Sequence, residues 1–317
     1  MEKRQGVYSR FGGIANMKQE TIFQQLKEIL IDDELLLNEP LSRWTTWKVG
    51  GPVEYLVFPG TAEKVSLVIK IAKTNDIPIA VLGNGSNVLV KDKGIKGIVI
   101  NTSKLQKSEV KETSIFAEAG VIMPVLAKHA LQNSLTGLEF SVGIPASFGG
   151  AILMNAGAWG KSIGEIIKEV KVVNMEGEIK TLSRGDMVFK YRESSFKKGT
   201  QVIVGGSLEL IQGDPVKIKN LMNFHQKSRL EKQPLRLPNA GSVFKNPEGY
   251  AAGYLIESVG LKGFSIGGAQ ISDKHANFIV NTGNATAEDI LNLMERTIQC
   301  VENFYGIHLE PEVSILG

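Results

Sequence analysis

The stretch GLEFSVGIPASFGGAILMNAGAWG (137–160) decides how this chain is read. From Gly143 onward small residues dominate, yet the segment stays apolar where a solvated loop would be polar. A backbone laid against a flat, partly apolar ligand accounts for both features, because glycine lets main chain approach a surface with no Cβ in the way. Tight packing against a helix is the competing reading. The candidate ligand contacts are Gly143, Ile144, Pro145, Ser147, Gly149, Gly150, Asn155 and Gly157. Upstream, VLGNGSNVLV (81–90) carries an apolar strand straight into Leu82, Gly83, Asn84, Gly85, Ser86 and Asn87. Successive backbone N–H groups in such a loop form a concave anion site suited to a pyrophosphate; a plain tight turn is the alternative. It is not the dinucleotide fingerprint, since Val88 occupies the place of the last glycine and no helix is expected to follow.

Around these loops the periodicity alternates between strand and helix. A helix is expected over 18–37, where Ile22, Leu26, Ile29 and Leu30 recur at helical spacing. Strands follow at 54–58 and 77–82 with a helix at 61–75 between them, then strands at 97–100 and 115–119 and a helix at 124–133. Segments 166–174 and 178–182 flank Glu176-Gly177 and read as a hairpin. A strand at 201–211 ends at Gly213-Asp214-Pro215, where Asp214 is placed to cap a helix over 215–231 with Pro215 in its first turn. A helix at 250–259, a strand at 277–281, a helix at 286–304 and a strand near 307–315 complete the chain. Thr286 and Asp289 have the spacing of a capping box. The expected fold is α+β, with an N-terminal extension and helix over 1–40, a first domain over 41–213 and a smaller α+β domain over 214–317.

Bulk properties exclude several functions. The 317 residues suffice for two domains with real cores. A net charge of +3 is too mild to argue for nucleic acid, but it suits an anionic small molecule. The single cysteine, Cys300, rules out a disulfide within the chain and a cysteine-rich metal site, and the four histidines lack metal-ligand spacing, so no metal is expected. There is no apolar run long enough for a membrane span, and residues 1–16 are polar with no signal-peptide core. A cytoplasmic location, as a monomer or weak oligomer, is the expectation.

In order along the chain, PLSRWTTWKVGGP (40–52), the two loops above, YRESSF (191–196), PNAGSVFKNP (238–247), GLKGFSIGGAQISDKHANFIVNTGNAT (260–286) and LEPEVSILG (309–317) form a set. With this set the chain, from about Leu41 to Gly317, resembles the short-form UDP-N-acetylenolpyruvoylglucosamine reductases, which share a flavin-binding domain with vanillyl-alcohol oxidase type flavoproteins. The resemblance implies FAD held without a covalent bond in a two-lobed domain, a C-terminal domain for a UDP-sugar, and NADPH as hydride donor. The short interval after Tyr191-Arg192 leaves no room for the substrate-covering loop of the long form. Two positions depart from the family pattern: Ala146 stands where glycine is usual, and Ser314 stands where arginine usually follows the Glu-Val pair.

By that resemblance Ser242 matches the proton donor, Arg192 the arginine that stabilises charge on the intermediate, and Glu312 a carboxylate that polarises it. Lys232 and Asn246 match UDP-sugar contacts, with Tyr191 close by. His275 is divided between substrate binding and a buried structural role, and His129 reads as structural. The implied chemistry is hydride transfer to an enolpyruvyl ether, then protonation of the adjacent carbon. A flavin oxidase of the same superfamily acting on a small alcohol would share the two loops but not Ser242 or the LEPEV terminus. A nucleotide-binding protein without catalysis would have no need of Ser242, Arg192 and Glu312.

Overall fold

The computed structural model describes residues 14–317. Most of the extension expected over 1–16, residues 1–13, lies outside the described residues. Helix α1 (Ile14–Ile29) is shorter than expected. The Leu-rich run after it pairs as strand β1 (Leu35–Pro40), antiparallel to β2 (Pro52–Val57). Leucine serves either structure, so the ladder with β2 overrides helical propensity here. In α2 (Ala62–Thr74), the Thr61 hydroxyl accepts from Lys64 N at 3.2 Å, and Val65, Val68, Ile69 and Ala72 are buried at helical spacing. β3 (Ile79–Leu82) and β5 (Ile95–Asn101) complete a four-stranded sheet in the order β1-β2-β5-β3, with β5 parallel to both neighbours. Between them the first glycine loop enters a strand, β4 (Val88–Val90), and not a helix.

A second sheet is antiparallel throughout. It comprises β6 (Ser108–Lys111), β7 (Ser114–Glu118), β8 (Ile167–Asn174), β9 (Ile179–Ser183) and β10 (Gln201–Glu209), in the order β9-β8-β10-β7-β6. The expected hairpin is β8–β9. Central β10 is buried along almost its whole length, as a strand flanked on both edges requires. Helix α3 (Met123–Gln132) covers this unit, and a short helix not foreseen in the sequence, α4 (Phe148–Leu153), rises from the second glycine loop with Ser147 as its N-cap. One apolar core, from Ile22 and Val65 to Phe148 and Val204, joins α1 and α2 to both sheets.

Asp214 caps α5 (Pro215–Lys232) as expected, accepting from Val216 N at 2.8 Å. Although α5 follows the domain boundary expected between 213 and 214, its Ile218 and Met222 pack into that first core. Beyond it lie α6 (Ala252–Ser258), a three-stranded antiparallel sheet of β11 (Ser265–Ile266), β12 (Ala269–Ile271) and β13 (Ile279–Asn281), and α7 (Ala287–Tyr305) with the Thr286–Asp289 capping box. The strand expected at 307–315 is reduced to β14 (Ser314–Leu316), which pairs in parallel with β4. Pro311 has no N–H for a ladder and makes only an isolated bridge with Phe244.

The second core, built on Phe244, Leu255, Ile290 and Leu309, also takes in Trp47, Val49 and Leu89 from the N-terminal part. Trp47 Nε1 donates to Ile279 O at 2.7 Å, and Asn281 Nδ2 donates to Trp47 O at 3.0 Å. Asp92, just after β4, accepts from Ala287 N (2.9 Å) and Glu288 N (3.0 Å), capping α7 from the other lobe. Asp92→Ala is expected to cost about 1 kcal/mol, the usual worth of a helix cap. A lower urea midpoint at unchanged slope would show it; an unchanged midpoint would refute it.

Candidate active site

The two glycine loops face each other across a cavity of about 310 Å³. Gly83, Asn84, Gly85, Ser86 and Asn87 line one side, and Ile144, Pro145, Ser147, Gly150 and Gly157 line the other. Asn84 Nδ2 ties the loops together by donating to Pro145 O at 2.6 Å. Gly85 has φ +63°, and a Cβ on it would come within 2.2 Å of Trp44 O, so only glycine fits that turn. Thr46 braces the same loop: its N–H donates to Gly85 O at 3.1 Å and its hydroxyl to Asn239 O at 2.6 Å.

Three side chains from distant parts of the sequence complete the wall: Arg192, Ser242 and Glu312. Ser242 follows a turn in which Asn239 Oδ1 accepts from Gly241 N at 3.0 Å, with Gly241 at φ +79°. Glu312 is placed by backbone on both sides. Its N–H donates to Val243 O at 2.7 Å, and Asn87 Nδ2 donates to its carbonyl at 3.1 Å. Arg192 sits at φ +55°, a left-handed backbone that costs a non-glycine residue roughly 1 kcal/mol or more. Its Nε lies 2.7 Å from Glu312 Oε1, and one terminal nitrogen donates to Gly157 O at 3.1 Å. The Nε contact is close but poorly aligned for a hydrogen bond, so the pair is held as an ion contact. Burial raises the Glu312 carboxyl above the ordinary range, opposed by Arg192 and, more weakly, by Lys197 and Lys245.

Other expected contacts lie behind or beside this wall. Leu82 is buried in the small core on the outer face of the first sheet. Gly149 is pressed against Ala119, where a Cβ would approach within 2.9 Å. Asn155 is buried, with Nδ2 donating to Lys190 O (2.8 Å) and Oδ1 accepting from Gly164 N (2.9 Å); it holds the turn that carries Tyr191 and Arg192. Gly143, Lys232 and His275 line an adjoining cavity of about 180 Å³. Its floor includes Trp159, stacked on His225 at 4.7 Å. Burial, helped by Lys262, lowers the His275 pKa, and its Nδ1 accepts from Asn277 N at 3.2 Å. Tyr191 is exposed, its ring 5.2 Å from the Arg192 guanidinium, and Asn246 is exposed, accepting from Ala252 N at 3.0 Å. The departures Ala146 and Ser314 both line the larger cavity. Reasoning from sequence passed over Arg229 and Gln233, which line both cavities. Their only sequence signal is a four-residue spacing on one helix face next to Lys232.

Comparison with known proteins accords with this geometry. Residues 233–316 match the family described as UDP-N-acetylenolpyruvoylglucosamine reductase, C-terminal domain, and residues 53–183 match an FAD binding domain. The chain is 44% identical to the UDP-N-acetylenolpyruvoylglucosamine reductase of Caldanaerobacter subterraneus subsp. tengcongensis, over 94% of this chain and 99% of that one. The chain belongs to the UDP-N-acetylenolpyruvoylglucosamine reductase family. The Carboxydothermus hydrogenoformans reductase is 46% identical over 92% of this chain and 98% of its own. The crystal structure of the Thermus caldophilus reductase superposes with a TM-score of 0.77 at 35% identity, covering 90% of this chain and 98% of that one. As a member of the family the chain is an FAD-dependent oxidoreductase with the expected α+β fold.

The residues present fit FAD on their own terms. A cradle of glycines and backbone amides in loop 83–87 suits a pyrophosphate, and the half-apolar wall from Ile144 to Ala158 suits a flat ring. A buried nitrogen of Arg229, Nε, has no partner among the described residues. Among the described residues no cluster of three or more potential metal ligands occurs, and no helix is long and apolar enough to cross a membrane.

Proposed function

We propose that this chain reduces UDP-N-acetylglucosamine enolpyruvate to UDP-N-acetylmuramate, with NADPH as hydride donor and FAD bound non-covalently, in peptidoglycan biosynthesis. The observation that carries the reading is the convergence of Ser242, Arg192 and Glu312 on the cavity that the two glycine loops enclose. FAD, when bound, supplies the two-electron chemistry. The protein's task is then to hold the enolpyruvyl group and manage charge and protons. Hydride arriving at the methylene carbon leaves negative charge on the adjacent carbon and its carboxylate. Arg192, with its planar fork, faces that charge, and Glu312 polarises it as a hydrogen-bond donor when protonated. The Ser242 hydroxyl delivers the proton to the carbon. Lys232, His275, Tyr191 and Asn246 are assigned to the UDP-sugar, with Lys232 as a point charge for the diphosphate.

The division into a cofactor domain over 41–213 and a substrate domain over 214–317 belongs to the same reading. Helix α5 then ties the second to the core of the first. So does a cytoplasmic location as a monomer or weak oligomer.

The test is anaerobic. The purified protein should be yellow, should bleach with NADPH, and should recover its colour with formation of UDP-N-acetylmuramate when the enolpyruvyl substrate is added. Bleaching without recovery would overturn the substrate assignment and favour another flavin oxidoreductase.

Glu312 gives a pH prediction with a definite sign. Its folded pKa is raised above 4.5, so the proton is held more tightly in the folded state than in the unfolded one. The contribution of Glu312 to stability is therefore full below 4.5 and lost as pH rises through the raised value. Turnover that needs the protonated donor falls over the same interval. Glu312→Gln keeps a donor without ionising and should abolish that limb of the pH profile; an unchanged limb would show that it belongs to another group.

A further inference from the structure

Segment 44–47 lies between loop 83–87 and the turn that carries Ser242, and the proposed chemistry uses none of its side chains. It packs against the loop without a gap: a Cβ on Gly85 would come within 2.2 Å of Trp44 O and 2.9 Å of Thr45 Cα. Toward the second lobe, Trp47 is fully buried and bonded to Ile279 and Asn281 of β13. Thr46 bonds in both directions. Its N–H donates to Gly85 O at 3.1 Å. Its hydroxyl has two acceptors in reach, Asn239 O at 2.6 Å and Gly85 O at 3.3 Å. With a single hydrogen to give, it serves the nearer one, Asn239 O.

Asn239 anchors the Ser242 turn. Its Oδ1 accepts from Gly241 N at 3.0 Å, its Nδ2 donates to Leu237 O at 2.8 Å, and its backbone bridges to Val280 of β13. Val243 N closes the far side of the turn on Asn277 O at 2.9 Å. The turn is therefore bound to its own lobe by these contacts and to loop 83–87 through the Thr46 hydroxyl. Two groups that must meet in one reaction come from different lobes, and a misplacement of about 1 Å can cost on the order of 10²-fold in rate.

We propose that Thr46 is a positioning residue whose hydroxyl holds the Ser242 turn in register with loop 83–87. The consequence for proton delivery rests on the reaction proposed above; the tie between turn and loop does not.

The test uses the FAD-loaded full chain as wild type, Thr46→Val and Thr46→Ser. Valine keeps the shape and the N–H bond to Gly85 O but lacks the hydroxyl, and serine restores it. Amide hydrogen exchange across 239–243 and the two anaerobic half-reactions are measured separately. Thr46→Val is expected to speed exchange at Gly241 and Val243 and to leave bleaching by NADPH unchanged. Recovery of flavin colour at saturating substrate should slow by roughly tenfold or more. Thr46→Ser should restore most of both. Should Thr46→Val not fold, Thr46→Ala, which needs no added space, carries the same test. Unchanged exchange in the hydroxyl-free variant overturns the proposal. So does faster exchange with unchanged recovery, an equal loss in both half-reactions, or a loss that Thr46→Ser fails to restore, each of which would make Thr46 a packing residue. A wild type that bleaches but never recovers overturns the assigned reaction instead, and the exchange data then decide the tie by themselves.

Discussion

Ser242→Ala is expected to leave bleaching by NADPH intact while slowing recovery of flavin colour on substrate addition by roughly 10²–10⁴-fold, the usual worth of a positioned proton donor. The two half-reactions separate because they differ in what they ask of the protein. Reduction by NADPH moves a hydride and requires no proton at the substrate carbon. Reoxidation by the enolpyruvyl group creates a strongly basic carbon that must be protonated, and the serine hydroxyl is assigned to that place. Removal of one oxygen leaves the turn itself intact, since its bonds run through Asn239 Oδ1 and the backbone of Gly241 and Val243. Ser242→Cys, which restores a proton donor, should recover part of the rate. Equal loss in both half-reactions would sink the assigned role.

Arg192→Met is expected to lower kcat by about 10²–10³-fold, the scale for removing one preorganised group that stabilises developing charge. The loss should fall on kcat and kcat/KM alike, since the interaction strengthens only as charge develops. A second effect adds to the first. Arg192 is the leading influence holding the buried Glu312 carboxyl down against desolvation, so its removal raises that carboxyl further. The alkaline fall in activity should then move to higher pH as kcat drops. Arg192→Lys should rescue little, because one ammonium cannot reach both Glu312 Oε1 and Gly157 O from a left-handed backbone. In combination with Glu312→Gln the losses should be less than additive, since the two side chains act as a unit. A KM effect alone would make Arg192 a substrate-binding group and overturn its place in the chemistry.

Much of this was legible in the sequence because it depends on local constraint. Loop 83–87 announces itself through residues that tolerate positive φ and close approach, and Gly85 has both. The caps at Asp214 and Thr286 are written at fixed offsets, and helices α5 and α7 begin where those offsets require. The hairpin β8–β9 follows from alternation around Glu176-Gly177. What the sequence left open depends on partners far along the chain. Leu35 to Leu37 suit a helix or a strand equally, and only the ladder with β2 chooses. Residues 307–313 have strand composition, but Pro311 supplies no N–H, and their pairing with residues 243–245 amounts to a single bridge. Asn155 sits in a ligand-like loop, and only its bonds to Lys190 O and Gly164 N reveal it as a brace.

The sequence by itself therefore determined many of the elements, the caps at Asp214 and Thr286, the two glycine loops and the residue types that the chemistry needs, because backbone sterics and side-chain chemistry act over a few residues. The tertiary structure alone decided that Arg192, Ser242 and Glu312 share one wall, that Asp92 caps a helix of the other lobe, and that Arg229 Nε and Gln233 Oε1 are buried with no partner among the described residues. Those facts are set by β14 pairing with β4, by Trp47 entering the second core and by α5 packing into the first. Contacts of that kind arise from burial and strand pairing between segments far apart in the chain, and no local pattern of residues encodes them.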